Sequence, residues 1–280
     1  METAADARSR PPTPTVQQIS ARQNHQLRRV TLFSPALCRV RQGSKTIQWG
    51  ERCEVAGGDS LVLFPGGSEV SMANQTGAGY YRAEMLYLPA ALLRQFRKHY
   101  PQAAPSDGGA ASLALPMTPT LTLLWDAVMD ALRAPLAPPL LNHLAESLLL
   151  ALQPSGHTAL LLNERHDRLT EQIQQLLLLD PAYAWQATDV AQRLHMAEST
   201  LRRRLSAEGK SFRDILDDVR LGQALLALQS GNAPIGDIAS QSGYASPSRF
   251  TARFVRRYGL TPSALRQAMR QPPDAPHAGG

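Results

Sequence analysis

Residues 235–263 read IGDIASQSGYASPSRFTARFVRRYGLTPS, and this stretch decides the fold class of the chain. Ile235, Ile238 and Ala239 have the spacing of a short amphipathic helix. Gly243 follows where a tight turn needs a residue that tolerates a positive φ. A short helix followed by a tight turn is the first half of a helix-turn-helix.

The second half of that pattern follows directly. Ser246 and Pro247 are typical of an N-cap and a first helical position, and Phe250 and Phe254 provide a buried stripe four residues apart. The positions left for the exposed face are small or basic: Ser248, Arg249, Thr251, Ala252, Arg253, Arg256 and Arg257. From residue 239 to the C-terminus the only acidic residue is Asp274. A helix of this composition is suited to lie beside phosphates.

A segment with similar organisation precedes it at residues 187–205. Its first helix would bury four apolar residues: Ala187, Val190, Ala191 and Leu194. Residues 195–197 form the turn, and Leu201 and Leu205 give the inner face of a second helix. The outer face carries Ser199, Thr200, Arg202, Arg203 and Arg204, and an arginine fork can bind guanine or phosphate oxygens. Alone, this segment is explained equally well as an ordinary basic helix pair; the repeat favours DNA binding.

One helix is predicted between the two segments, over residues 212–229. Ser211 and Asp214 fit a capping box at its start, and Gly231 is a plausible stop. At a rise of about 1.5 Å per residue such a helix is roughly 27 Å long. Successive major grooves on one face of DNA are about 34 Å apart, so the helix can place both units on one DNA face.

Residues 166–268 resemble the DNA-binding domain of the AraC/XylS transcription regulators. The most specific matches lie in the second unit: Ile238-Ala239, Ser242-Gly243-Tyr244, Ser246, Phe250, Phe254 and Tyr258-Gly259-Leu260-Thr261-Pro262-Ser263. The first unit agrees through Trp185, Val190-Ala191, Leu194, Leu201, Leu205 and Ser211-Phe212. The chain departs from the family where Ala197 replaces a common capping serine, and the loop 207–210 is one residue short.

The resemblance implies two recognition helices, Ser199–Leu205 and Pro247–Arg257. The base-reading positions would be Ser199, Arg202 and Arg203 in the first unit and Pro247, Ser248 and Ala252 in the second. Pro247 and Ala252 cannot hydrogen-bond to bases. We therefore hypothesise that the first unit discriminates sequence, while the second grips the backbone through Arg249, Arg253, Arg256 and Arg257. The expected DNA-binding set is Ser199, Thr200, Arg202, Arg203, Pro247, Ser248, Arg249, Thr251, Arg253, Arg256 and Arg257.

The N-terminal half has the pattern of a small β structure. Short strand-like runs are separated by Gly- and Pro-containing turns: Val30–Phe33, Leu37–Arg41, Lys45–Trp49, Ser60–Phe64, Glu69–Ala73 and Tyr80–Leu88. Helical periodicity follows at 120–134 and 140–153. We therefore predict a two-domain α+β protein. A small cupin-like β-barrel with following helices would occupy residues 25–160, and an all-α domain with two helix-turn-helix motifs would occupy 163–270. Segments 1–24 and 271–280 are expected to be disordered.

Four basic residues on the predicted strands are candidates for binding an anionic effector: Arg39, Arg41, Lys45 and Arg82. Solvated strand faces explain them equally well. Residues 30–88 contain no histidine, so the His/His/Glu cluster of a metal-binding barrel is absent. Cys38 and Cys53 lie in no nucleophile or metal motif. We expect no cofactor, no metal and no enzyme activity.

The charge distribution agrees with a polyanionic partner or an anionic membrane surface, and an ordinary solvated surface explains it equally well. Residues 165–270 contain 15 Lys/Arg and 10 Asp/Glu, a surplus of five. Expected partners are double-stranded promoter DNA, RNA polymerase, a small-molecule effector and a second copy of the chain. The second copy would bind through the apolar stripe of 140–153, for which packing within the domain is the default explanation. No secretory signal or membrane span is evident, so we expect a cytoplasmic protein that is nucleoid-associated when bound. The alternatives are an enzyme with an appended DNA-binding domain, and an adaptor whose barrel binds a protein and no ligand.

Overall fold

The computed structural model describes residues 13–101, 112–134, 136–162 and 169–269. Its strands are β1 Thr15–Ala21, β2 His25–Leu32, β3 Ala36–Gln42, β4 Ser44–Trp49, β5 Arg52–Ala56, β6 Ser60–Phe64, β7 Ser68–Gln75, β8 Tyr81–Tyr87 and β9 Ala114–Pro116. Its helices are α1 Ala90–His99, α2 Pro119–Arg133, α3 Pro138–Leu152, α4 Thr158–Leu162, α5 Leu169–Leu177, α6 Ala187–Arg193, α7 Glu198–Ala207, α8 Phe212–Ser230, α9 Ile235–Gln241, α10 Pro247–Tyr258 and α11 Pro262–Met269.

The strands form two antiparallel sheets in the order β1-β8-β3-β6-β9 and β2-β7-β4-β5. Side chains alternate along the strands, so each sheet directs one apolar face inward. Cys38, Val62 and Met85 of the first sheet share a buried cluster with Leu27 and Met72 of the second. The sheets therefore enclose a common core, as the run of short strands predicted.

Strand β1 corrects one expectation. Residues 1–24 were expected to lack structure, but Thr15–Ala21 pairs along its whole length with β8. Gln17, Ile19 and Ala21 point inward and are buried. Pairing with a distant strand satisfies the backbone of a segment whose own composition is too polar to predict order. Residues 1–12 and 271–280 of the expected disordered segments lie outside the described residues.

The outer face of the first sheet is covered by helices. Leu37, Leu63 and Leu86 of this sheet pack with Trp125 of α2 and Leu148 of α3 in a second buried cluster. Helices α2 and α3 confirm the helices expected at 120–134 and 140–153, whereas α1 was not foreseen. The apolar stripe expected to form dimer contacts is thus largely used inside the domain. Within the described residues, no helix is long and apolar enough to cross a membrane.

The C-terminal helices contact the sheets directly. Leu225 and Leu228 of α8, Phe254 of α10 and Leu265 of α11 belong to the same buried cluster as the interior of the two sheets. The backbone amides of Arg22 and Gln23 donate to the carbonyl oxygen of Ala268 at 2.8 and 3.2 Å. The two halves of the chain are therefore joined by a shared apolar core.

Leu148 and Leu140 test how α3 uses its apolar residues. Leu148 is 0% exposed within the N-terminal domain, whereas Leu140 is 49% exposed. We expect Leu148→Ala to lower the free energy of unfolding by about 2–5 kcal/mol, because it leaves a cavity. Leu140→Ala should change it by less than about 0.5 kcal/mol. Urea unfolding followed by circular dichroism measures both, and equal losses would show that the burial of α3 is misassigned.

Candidate nucleic-acid interface

Helices α6 and α7 form the first helix pair. The turn between them places His195 at φ 53°, and the amide of Met196 donates to the carbonyl oxygen of Ala191 at 2.9 Å. Leu201 and Leu205 of α7 are buried in a cluster of their own with α5, α6 and the first half of α8. The first pair therefore has a separate small core.

Helices α9 and α10 form the second helix pair, and its turn has the same geometry. Gly243 has φ 80°, and the amide of Tyr244 donates to the carbonyl oxygen of Ala239 at 2.9 Å. Ser246 caps α10, because its hydroxyl accepts from the amide of Arg249 at 3.4 Å. Gly243 therefore occupies the position that the sequence assigned to it, and His195 is its counterpart in the first pair.

Helix α7 presents its polar face to solvent. Ser199, Arg202 and Arg203 are exposed, and Thr200 is half-buried. Arg202 forms an ion pair with Glu198 one turn earlier on the same helix. Ala197 precedes α7 without a side-chain cap, as expected from the alanine at this position. The base-reading positions assigned to the first unit all lie on the accessible side of α7.

Helix α10 divides its arginines between two faces. Arg249 and Arg256 are exposed, together with Pro247 and Ser248, while Thr251 is half-buried. Arg253 instead forms an ion pair with Asp217 of α8 at 2.8 Å. The structure therefore separates the four arginines expected to grip phosphates, two facing solvent and two facing the rest of the protein.

Arg257 is the most deeply buried of these arginines, with 7% of its surface exposed. Its guanidinium lies 3.0 Å from Asp218 of α8 and 3.0 Å from Glu69 of β7, and it donates to the hydroxyl of Thr31 at 2.6 Å. Burial raises the pKa of Asp218, and this effect outweighs the positive charge of Arg257, which lowers it. In this arrangement Arg257 joins the second helix pair to the N-terminal domain.

Arg29 extends this contact on the β side. Burial disfavours ionised Glu69, but hydrogen bonding from Arg29 and the charge of Arg257 outweigh burial, so the pKa of Glu69 is lowered. Arg29 lies 3.1 Å from Glu69 and adopts a left-handed φ of 51° at an irregularity in the pairing of β2 with β7. The ionic contact between the domains thus involves Arg29, Glu69, Asp218 and Arg257, and we call it the interdomain ion cluster.

A cavity of about 370 Å³ lies between the sheets and α8. Its walls are mainly apolar side chains from both domains, including Ile19, Leu27, Met72, Met85, Leu225 and Leu226. Near α8 the wall becomes polar: Gln17 accepts a hydrogen bond from the Tyr87 hydroxyl at 2.9 Å and donates to the Ser230 hydroxyl at 3.1 Å. These residues were not predicted, since nothing in the local sequence indicates that β1, β8 and α8 meet.

Lys45 lies in the interior of the sheets and is 0% exposed. Its amine donates to Asn74 Oδ1 at 2.7 Å, and Asn74 lies 3.0 Å from His25 Nε2. Burial lowers the pKa of Lys45 and also that of His25. Met72 contacts both Lys45 and the cavity: its sulfur lies 3.6 Å from the amine, and its side chain lines the cavity, whereas Lys45 does not.

The other three candidates for effector binding lie elsewhere. Arg39 pairs with Asp59 and with Asp126 of α2 at 2.8 and 3.0 Å, on the side of the first sheet that faces the helices. Arg41 pairs with Glu84 and with the same Asp126 at 2.9 and 2.8 Å. Arg82 is exposed. The structure does not bring these three side chains together with Lys45.

Comparison with known proteins finds a family match in the C-terminal domain and relatives that align over about a third of the chain. A family described as "Helix-turn-helix domain" matches residues 190–268. The urease operon transcriptional activator of Escherichia coli is 41% identical over 102 residues, which are 36% of this chain and 34% of that protein. The transcriptional activator FapR of Escherichia coli is 34% identical over 102 residues, or 36% and 39% of the two chains. The chain therefore matches little more than a third of the length of these curated relatives.

Solved structures of ToxT from Vibrio cholerae are similar over nearly the whole chain. An apo form aligns with a TM-score of 0.69 at 14% identity, covering 93% of this chain and 99% of that one. A form bound to an unsaturated fatty acid aligns at 0.65 and 16% identity, covering 93% and 97%. At this identity the likeness shows a common fold: antiparallel sheets followed by a helical domain.

The turn of the second helix pair offers a test of the local geometry. A Cβ added to Gly243 would meet Arg220 Nε at 2.7 Å and would also stand on a left-handed backbone. We expect Gly243→Ala to lower the free energy of unfolding by about 1–2 kcal/mol. The control is Gly236→Ala in α9, where an added Cβ meets nothing within 4 Å. That change should be neutral or stabilising by up to about 1 kcal/mol, so only Gly243→Ala should lower the midpoint of thermal unfolding; an equal fall for both would contradict the turn assignment.

Proposed function

We propose that the whole chain is a sequence-specific regulator of transcription that binds promoter DNA, because its C-terminal domain resembles the AraC/XylS type and a helix-turn-helix family matches residues 190–268. The observation that carries the proposal is the repeat: two helix pairs with the same turn, each presenting an exposed helix with arginines. An activating role is supported by the two curated relatives, which are named as activators.

The geometry of α8 supports use of both helix pairs as helix-turn-helix units in adjacent major grooves. The helix has 19 residues, or a length of about 28 Å at about 1.5 Å per residue. Groove positions repeat after about 34 Å, and the two packed pairs extend the span at each end. In this proposal α7 reads bases through Ser199, Arg202 and Arg203, while α10 holds the backbone through Arg249 and Arg256. Arg253 and Arg257 reach DNA only after leaving their carboxylate partners.

The N-terminal domain is proposed to act as a ligand-sensing barrel. An apolar cavity in contact with α8, the helix that connects the two helix pairs, supports sensing, whereas an adaptor would be expected to fill this space with its own side chains. The cavity lies within the range of about 300–1,000 Å³ typical of small-molecule sites. ToxT, which shares the fold, has been crystallised with an unsaturated fatty acid bound. The alternative function remains a DNA-bound adaptor whose barrel binds a protein partner.

Two further partners complete the proposal. RNA polymerase is the expected target of an activator bound at a promoter. A second copy of the chain would meet residues 138–152 through the exposed remainder of α3, of which Leu140 is the clearest apolar member. Sedimentation of Leu140→Glu tests this contact, since that change leaves the buried Leu148 intact.

Two arginine substitutions distinguish base reading from backbone binding. We expect Arg203→Ala to relax the selected sequence in the half-site read by α7, because one bidentate contact contributes about 1–3 kcal/mol of base discrimination. We expect Arg256→Ala to weaken binding of all duplexes alike and to reduce the salt slope by about one. Selection from random duplexes and titration at several salt concentrations measure the two effects.

The charge-matched control is Arg94→Ala on α1, an exposed arginine in the N-terminal domain. It should leave both the selected sequence and the salt slope unchanged. An unaltered motif for Arg203→Ala would remove Arg203 from base reading. A chain that binds no selected duplex in a salt-dependent manner would refute the proposed function as a whole.

A further inference from the structure

The cavity between the sheets and α8 has a distinct polar end. Gln17 is buried, and its amide nitrogen is shared among three acceptors: Ser230 Oγ at 3.1 Å, Gln229 Oε1 at 3.4 Å and the carbonyl oxygen of Leu226 at 3.5 Å. Two of these three contacts are long for an N–H···O hydrogen bond. The side-chain amide of Gln17 therefore donates only weak hydrogen bonds to two of its three acceptors, at the end of the cavity that borders α8.

All the groups at this polar end are uncharged. Gln17 provides an amide, Ser230 a hydroxyl and Tyr87 a phenol, and burial raises the pKa of Tyr87 so that the phenol stays protonated. Among the described residues that line the cavity, every side chain is apolar or neutral and polar. A carboxylate placed here would lose hydration without gaining a cation, so an ionised head group is disfavoured.

Lys45, a buried basic residue near the cavity, does not provide a cation for a carboxylate head group. Lys45 does not line the cavity, and its amine, which lies 3.6 Å from the sulfur of Met72, already donates to Asn74 at 2.7 Å. The amine is held in a hydrogen-bonded chain with Asn74 and His25. Among the polar groups that line the cavity, the amide of Gln17 is the loosely bonded donor described above.

We infer that this cavity binds a neutral amphiphile: an apolar chain or ring system with an un-ionised hydroxyl, carbonyl or amide head that hydrogen-bonds with Gln17. The inference rests on the proposed ligand-sensing role and names its ligand class, which differs from the acid found in ToxT. The head group competes with Gln229, Ser230 and Leu226 for the Gln17 amide, all of which belong to the last turns of α8. Ligand binding therefore acts on the helix that connects the two DNA-binding units.

Matched ten-carbon probes test the head group. Equilibrium dialysis of the full chain at pH 7.5 compares 1-decanol and decanamide with decanoate, which is ionised at that pH. We expect both neutral probes to bind roughly tenfold or more tightly than decanoate. Gln17→Met keeps the length of the side chain and removes the amide, and it should weaken decanol binding about fivefold. Gln18→Met, at the neighbouring exposed position of β1, is the control and should bind like the unaltered chain.

The Lys45→Met variant distinguishes binding of a neutral ligand from binding of a carboxylic acid. If decanoate binds as tightly as decanol, and its binding is lost in Lys45→Met but kept in Gln17→Met, the ligand is a carboxylate that reaches Lys45 and the inference is wrong. Failure of all three probes to bind would equally overturn it. These outcomes are independent of DNA. A chain that binds selected duplexes but no probe refutes only the ligand inference, whereas one that binds decanol but no duplex refutes only the proposed regulator.

Discussion

Helix α8 buries its two halves in two different cores, and the rest of the arrangement depends on this constraint. Ile215 and Val219 pack with the first helix pair, whereas Leu225 and Leu228 pack with the second pair and the interior of the sheets. Because packed cores resist continuous deformation, a shift of α8 is transmitted to both pairs. The helix that sets the spacing of the two helix pairs therefore also forms one wall of the cavity.

The interdomain ion cluster restricts how the two domains are oriented across this apolar contact. Burying Arg257 beside Glu69 and Asp218 costs desolvation of all three groups, so the cluster is weak evidence for stability. The cluster instead fixes the position of α10 against β7 and α8, because buried charged groups pair with one another only within a narrow range of distances and angles. The same guanidinium that is suited to phosphate is here held by carboxylates of α8 and β7. Under the proposed function, a phosphate could bind Arg257 only by displacing these carboxylates.

Sequence reasoning was most accurate where the determining interactions are local. Gly243, Ser246 and Pro247 indicated the turn and the start of α10 because φ preference and capping act within a few residues. The exposure of the four α10 arginines was less well predicted. Helical spacing shows which residues share a face, but it does not show what that face contacts. Lys45 was singled out for its charge, but the structure places it in the interior of the sheets, where it does not line the cavity.

The sequence by itself determined the two helix pairs, the connecting helix and the β character of the N-terminal half, because periodicity, caps and turn residues act over short separations. Only the tertiary structure decided that Thr15–Ala21 is a strand, that Arg257 meets Glu69, and that Gln17 meets Ser230 across a separation of 213 residues. These contacts join segments that are far apart in the sequence, and the local sequence of one segment does not indicate which other segment it will contact. Their geometry follows from burying the apolar faces of two domains in one core, and that burial creates both the cavity and the ionic contact.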